Sequence, residues 1–110
     1  MANEVVVLVT TATEQEARKI ANQLVSSKLI ACANIVSKVN SVFHWQGELC
    51  NEGEALIIMK SVKANVDAII AKVKELHSYS VPEIIALPIL AGSKDYLKWL
   101  QDETRPHKQL

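Results

Sequence analysis

The sequence predicts an α+β domain with the element order β-α-β-β-α-β and a short helix near its C-terminal end. Apolar, β-branched runs around residues 5–9, 31–45, 48–61 and 83–90 carry strand composition. Two stretches between them place apolar residues at helical spacing instead. The chain has 110 residues, the size of one domain. In this order the elements make the split βαβ, ferredoxin-like arrangement, a four-stranded antiparallel sheet with helices on one face.

Each element has a local reason. Val5-Val6-Val7-Leu8-Val9 is almost wholly β-branched and does not alternate, so it reads as a strand covered on both faces. Thr13-Glu14-Gln15-Glu16 fits a capping box, with hydroxyl and carboxylate exchanging hydrogen bonds with orphan backbone donors. Behind it Ala17, Ile20, Ala21, Leu24 and Val25 share one face of a helix, while Arg18, Lys19, Asn22 and Gln23 face water. Residues 31–45 turn to strand composition, and Gln46-Gly47 is a plausible two-residue hairpin loop. The return strand spans Glu48 to Ser61, with Gly53 expected as a bulge and Ala55 to Met59 as its core segment. Val66, Ile69, Ile70, Val73 and Leu76 define a second amphipathic helix. Ser80-Val81-Pro82 breaks the chain, and Glu83 to Leu90 is expected as another buried strand. Ser93 caps a last helix carrying Tyr96, Trp99 and Leu100, and residues 105–110 read as a loose tail.

Composition excludes several classes. Lys plus Arg and Asp plus Glu are 12 each, so the neutral chain lacks the basic face that a nucleic-acid binder needs, and nothing in the balance favours an anionic membrane. With 49% hydrophobic residues and only 3 Gly and 3 Pro, low-complexity disorder is excluded. Residues 1–110 are expected to form a single domain that buries about 65% of its unfolded surface, without metal or disulfide staples. The first apolar run is too short for a signal-peptide core or a membrane span. With only Cys32 and Cys50, the expectation is a cytoplasmic protein with reduced thiols.

The second strand implies more than one subunit. Fifteen residues at ~3.3 Å each reach ~50 Å if straight, whereas a domain of this size has a radius of gyration of ~13 Å. The hairpin must bend strongly or project, and a projecting hairpin leaves edges that proteins pair or cover. Both alternate faces of Glu54 to Ser61 are apolar, Leu56 and Ile58 on one and Ala55, Ile57 and Met59 on the other. A closed oligomer is therefore expected. With Gln46-Gly47 as the loop, Phe43 faces Cys50 and Cys32 faces Ser61, so the two thiols are too far apart for a disulfide.

Few residues carry chemistry. No Gly-rich phosphate loop, His-Glu-x-x-His, paired-cysteine zinc spacing or recognisable nucleophile is present, so no enzymatic activity is expected. His77 closes the second helix, either as a metal ligand or proton carrier, or as a partly packed histidine favoured by the helix dipole. Cys32 is either a soft copper ligand or a small core residue. Glu83, behind Pro82, is either an exposed strand-end carboxylate or a polar cleft residue. Lys60 ends a buried strand and needs a partner, for which Glu83 and Glu48 are candidates. Trp45 and Tyr79 either line a cleft or pack as aromatics, and His44 and His107 read as surface histidines.

Several stretches then carry a resemblance. Thr10-Thr11, Leu29-Ile30-Ala31-Cys32-Ala33-Asn34-Ile35, Ser41-Val42-Phe43-His44-Trp45-Gln46-Gly47 and Glu54 to Lys60 closely resemble the divalent-cation tolerance family known as CutA. So do His77 to Pro88 and Asp95-Tyr96-Leu97-Lys98-Trp99-Leu100, and the match runs in order over about residues 5–100. The resemblance implies a ferredoxin-like subunit in a homotrimer, a role in tolerance of divalent cations, copper above all, and no established catalytic activity. The copper site proposed in such proteins draws on a Cys at the end of the first strand and a His pair closing the second helix. Here those positions read Val9 and Leu76-His77, so His77 alone remains, and Ser78 stands where Pro is usual. His77, Cys32, Glu83, Trp45, Lys60, Tyr79 and Pro82 match the family pattern as residues of a cleft between subunits.

Three functions follow as expectations. One is a non-enzymatic trimer that binds Cu(II) or another divalent cation weakly, using His77 with Cys32 or Glu83. Another is a small-molecule sensor, since such trimers resemble the PII-type signalling proteins in fold. The third is a rigid scaffold that anchors another protein.

Overall fold

Strand β1 (Glu4–Thr11) runs through the middle of a four-stranded antiparallel sheet of order β2-β3-β1-β4. Its residues alternate between faces, which puts Val5, Val7, Val9 and Thr11 in the core. The computed structural model describes residues 3–104; the tail at 105–110, His107 included, lies outside them. Helix α1 (Glu14–Ser26) follows, then β2 (Cys32–Trp45), β3 (Glu48–Val62), a single 3₁₀ turn, α2 (Val66–Leu76), β4 (Ile84–Pro88) and α3 (Lys94–Asp102).

The expected order holds, and so do the helix faces except at Val25, which sits in the last turn of α1 and is exposed. Ala17, Ile20 and Leu24 of α1 and Ile69 and Val73 of α2 share one buried core with Val7, Val9, Ile57 and Met59. Fully buried side chains of this size contribute about 1.5–3 kcal/mol each, so this layer is the main source of stability. Thr13 caps α1 by accepting the Glu16 amide at 3.1 Å. Only the hydroxyl half of the expected capping box forms, because the Glu16 carboxylate turns to Ser78.

The hairpin turns at Gln46-Gly47 with φ of +52° and +82°, the left-handed pair that matches the twist of antiparallel strands. Its irregularity is not at Gly53, which pairs regularly with Asn40, but between Val36 and Val39. That insertion shifts the pairing by one residue, so Cys32 faces Lys60 rather than Ser61. Both cysteines are free, as the strand geometry required.

The opposite face of the sheet is only partly covered. Helix α3 packs on one end of it, with Leu100 against Ala31 and Val62. Its Gln101 amide bonds Glu4, and its Tyr96 hydroxyl meets the Cys32 thiol at 3.7 Å. Val6, Leu8, Leu56 and Ile58 beyond it are only half-buried, so β1 is not covered on both faces within one chain. Strand β4 is not buried either, with Ile85 50% and Leu87 47% exposed. Among the described residues it pairs with β1 alone and leaves its outer edge free, which Pro88 tolerates because it needs no ladder donor there. The extents are 43 × 31 × 23 Å, and residues 42–49 at the end of the hairpin are all exposed, beyond the bulge between Val36 and Val39.

Candidate functional site

The site grows from the end of α2. Val81 precedes Pro82 and is pushed toward extended backbone, so the helix cannot continue through this segment. His77 leaves the helix with φ −85° and ψ 143°, which swings its ring beneath the sheet end. The ring is fully buried. Its Nδ1 accepts the Tyr79 amide at 3.0 Å, which leaves the proton on Nε2 to be donated to the Thr10 carbonyl at 2.7 Å. Both nitrogens are therefore used inside the fold.

Glu16 completes the anchor from the N-terminal turn of α1. Its carboxylate accepts the Ser78 amide at 2.7 Å and the Ser78 hydroxyl at 3.0 Å, and lies 3.5 Å from His77 Nδ1. A proline at this position could donate neither bond. Tyr79 stacks obliquely on His77, with ring centroids 4.8 Å apart, and donates its hydroxyl to Glu54 Oε2 at 2.8 Å. Burial, followed by the hydrogen bond to Glu54, pushes the Tyr79 phenol up from 10.0 to about 12. Because the folded value lies above the unfolded one, this group's stabilisation is complete below pH ~10 and is lost as pH rises through about 12. A spectroscopic pH titration of native protein, with Tyr79→Phe as the blank, is expected to show the Tyr79 phenol ionising near pH 12, and the blank to retain only Tyr96, itself raised by its hydrogen bond with Cys32.

This anchored segment walls a cleft of about 790 Å³. The hairpin contributes Phe43, Trp45 and Cys50, and β3 contributes Glu52 and Glu54. The segment after α2 supplies Tyr79, Val81 and Glu83, while Thr10 stands at the inner end. The volume falls within the usual range for small-molecule sites, and the lining joins aromatic faces to carboxylates.

The cleft brings together Trp45, Tyr79 and Glu83 of the candidate residues. Pro82 sits between two lining residues, and His77 lies behind Tyr79. Cys32 and Lys60 are cross-strand partners four positions further along β3 than Leu56, which faces Thr10. There the Cys32 thiol meets Tyr96 and the Lys60 ammonium donates to Asn34, not to Glu83 or Glu48. The residues present do not fit a metal centre on His77. Its nitrogens are occupied, Cys32 lies elsewhere, and among the described residues no group of three His, Cys, Asp or Glu side chains is placed to hold an ion. Sequence reasoning missed Glu54, Glu52, Phe43 and Glu16. The i, i+2 spacing of Glu52 and Glu54 was the available signal, since it puts both on one strand face.

Residues 5–103 match the family model described as "CutA1 divalent ion tolerance protein". The chain belongs to this family. It is 45% identical over 101 residues to the divalent-cation tolerance protein CutA of Thermus thermophilus, covering 92% of this chain and 98% of that one. It is 42% identical to the chloroplastic CutA 1 of Oryza sativa, again over 92% of this chain but 57% of the longer plant protein. The solved Thermus thermophilus CutA1 superposes with a TM-score of 0.90 at 44% identity, covering 93% and 99% of the two chains. The Oryza sativa CutA1 structure gives 0.93 at 40% identity, covering 96% and 97%. No helix among the described residues is long and apolar enough to cross a membrane.

Proposed function

We propose that this chain acts as a non-enzymatic homotrimer that serves divalent-cation tolerance by holding a small ligand in the Tyr79 cleft, not by a resident metal on His77. The observation that carries this reading is the imidazole, whose two nitrogens are spent on Thr10 and Tyr79 to fix the cleft wall. A preformed cleft with aromatic walls and convergent polar groups supports the ligand. The half-covered second face, the open β4 edge among the described residues and the exposed hairpin end support the trimer, since a lone subunit would leave them to water. Cu(II) and other divalent cations then bind only weakly, through surface groups. The two free thiols support a reducing, cytoplasmic setting.

Trp45 provides the test. With Trp99→Phe as background, Trp45 is the remaining indole and lines the cleft. Screening neutral, anionic and cationic small molecules is expected to find at least one class that moves Trp45 emission and raises the melting midpoint together, by linkage of binding to stability. Silence from all three classes, with the mass still three times 12.2 kDa by light scattering, would leave the scaffold function instead.

A further inference from the structure

We infer that the wall of the Tyr79 cleft carries a proton-operated latch, in which charging the His77 ring exchanges its bond with the Tyr79 amide for an ion pair with Glu16. The latch goes beyond the function proposed above and holds whatever occupies the cleft.

Backbone partners fix the proton of the neutral ring. An amide N–H can only donate and a carbonyl can only accept, so Nδ1 is bare toward Tyr79 and Nε2 carries its hydrogen toward Thr10. Nδ1 has a single lone pair. A proton taken up there removes the acceptor that the Tyr79 amide uses and sets two donors against each other at 3.0 Å. Glu16 relieves that conflict. Its Oε2 stands 3.5 Å from Nδ1, and an approach of about 0.7 Å makes a charge-assisted bond of ~2.8 Å. The same oxygen accepts the Ser78 amide at 2.7 Å, and a carboxylate oxygen can accept a second hydrogen bond. Ser78 therefore stays anchored while the Tyr79 amide is released, which places the hinge between these two residues.

The charges around the ring suit this exchange. The Glu16 side chain is only 14% exposed, and among the described residues His77 is its one ion-pair partner, whereas Glu14 in the same turn is paired with Arg18. Ser78 holds Glu16 in place with both its amide and its hydroxyl. From β3, Glu54 accepts the Tyr79 hydroxyl at 2.8 Å, and Glu52 stands in the same cleft. From β1, the Thr10 carbonyl meets the ring. On α2, Glu75 is paired with Lys72, and Lys74 is exposed. The bond to Glu54 keeps the Tyr79 side chain tethered, so the change falls on the backbone that carries Tyr79 and Val81 along the cleft.

The experiment follows histidine ring nitrogens and backbone amides of the intact protein by two-dimensional NMR from about pH 8 to pH 5, the window in which imidazoles charge. The His77 ring nitrogens and the Tyr79 amide cross-peak are expected to move in one common step. His77→Gln keeps a donor and an acceptor but takes up no proton, so it is expected to abolish the Tyr79 movement while leaving the steps of His44 and His107. Glu16→Gln keeps an acceptor for Ser78 and removes the charge, so it is expected to move the step to lower pH. A Tyr79 cross-peak that stays still while the His77 ring charges, or that moves alike in His77→Gln, would overturn the latch. So would a ring that stays neutral throughout, or a step unmoved in Glu16→Gln. Loss of all cross-peaks together would also overturn it, since charging the ring would then unfold the chain rather than release one segment.

Discussion

Replacing His77 with alanine is expected to lower the unfolding free energy by about 3–5 kcal/mol, the largest effect of any single substitution near the cleft. The ring is fully buried and bonds two backbone groups from different elements. Its removal leaves the Thr10 carbonyl and the Tyr79 amide without partners, at about 1–3 kcal/mol each, and opens a cavity beneath the Tyr79 ring. His77→Gln retains a donor and an acceptor on a shorter, more flexible side chain, so it is expected to fall between wild type and alanine. Urea unfolding at one fixed protomer concentration checks this ordering, because an oligomer's stability depends on concentration. Equal stability of wild type and His77→Ala would mean that the histidine is kept for something other than holding the segment.

The second large effect is expected on the open sheet face. Leu8 and Ile58 are adjacent partners on β1 and β3 and half-buried in the single chain. In the proposed trimer another subunit covers them. Ile58→Asp would place an unpaired charge in that apolar contact, at a cost of at least about 3 kcal/mol per subunit. Light scattering is expected to show the mass falling from three times 12.2 kDa to one, or the variant failing to fold. Lys19→Glu, on the exposed side of α1, is expected to leave the mass unchanged. A wild-type protein that is monomeric at tens of micromolar would remove the reason for this difference.

The architecture was legible because its signals are local. Helical spacing at Ala17, Ile20 and Leu24, the Gln46-Gly47 loop and the break at Pro82 each act within a few residues. The bulge was misplaced because glycine is a common marker of one, yet Gly53 lies comfortably in a regular ladder. The better cue was the three-residue gap between Val36 and Val39, which an alternating strand cannot keep on one face. The run from Ile84 to Leu90 reads as buried because it is apolar throughout, but apolarity does not say which molecule provides the cover. One chain leaves that edge open.

The site was legible as a set of residue types and not as an arrangement. Trp45, Tyr79 and Glu83 meet in the cleft, whereas Cys32 and Lys60 lie at the other end of the sheet, nearer α3. What separates His77 from metal chemistry is a pair of backbone partners, the Thr10 carbonyl and the Tyr79 amide. Backbone groups leave no trace in residue identity, so the sequence left its two roles open. The Tyr79–Glu54 bond spans 25 positions and links elements that only the folded sheet brings together.

Calorimetric titration of metal-free protein with Cu(II), run beside His77→Gln, decides whether the buried imidazole holds a metal. Weak binding without one-per-subunit saturation is expected, the same in both proteins. Saturable binding of one Cu(II) per subunit, lost in His77→Gln while the trimer persists, would show that the imidazole leaves its backbone partners for a metal and would contradict that expectation.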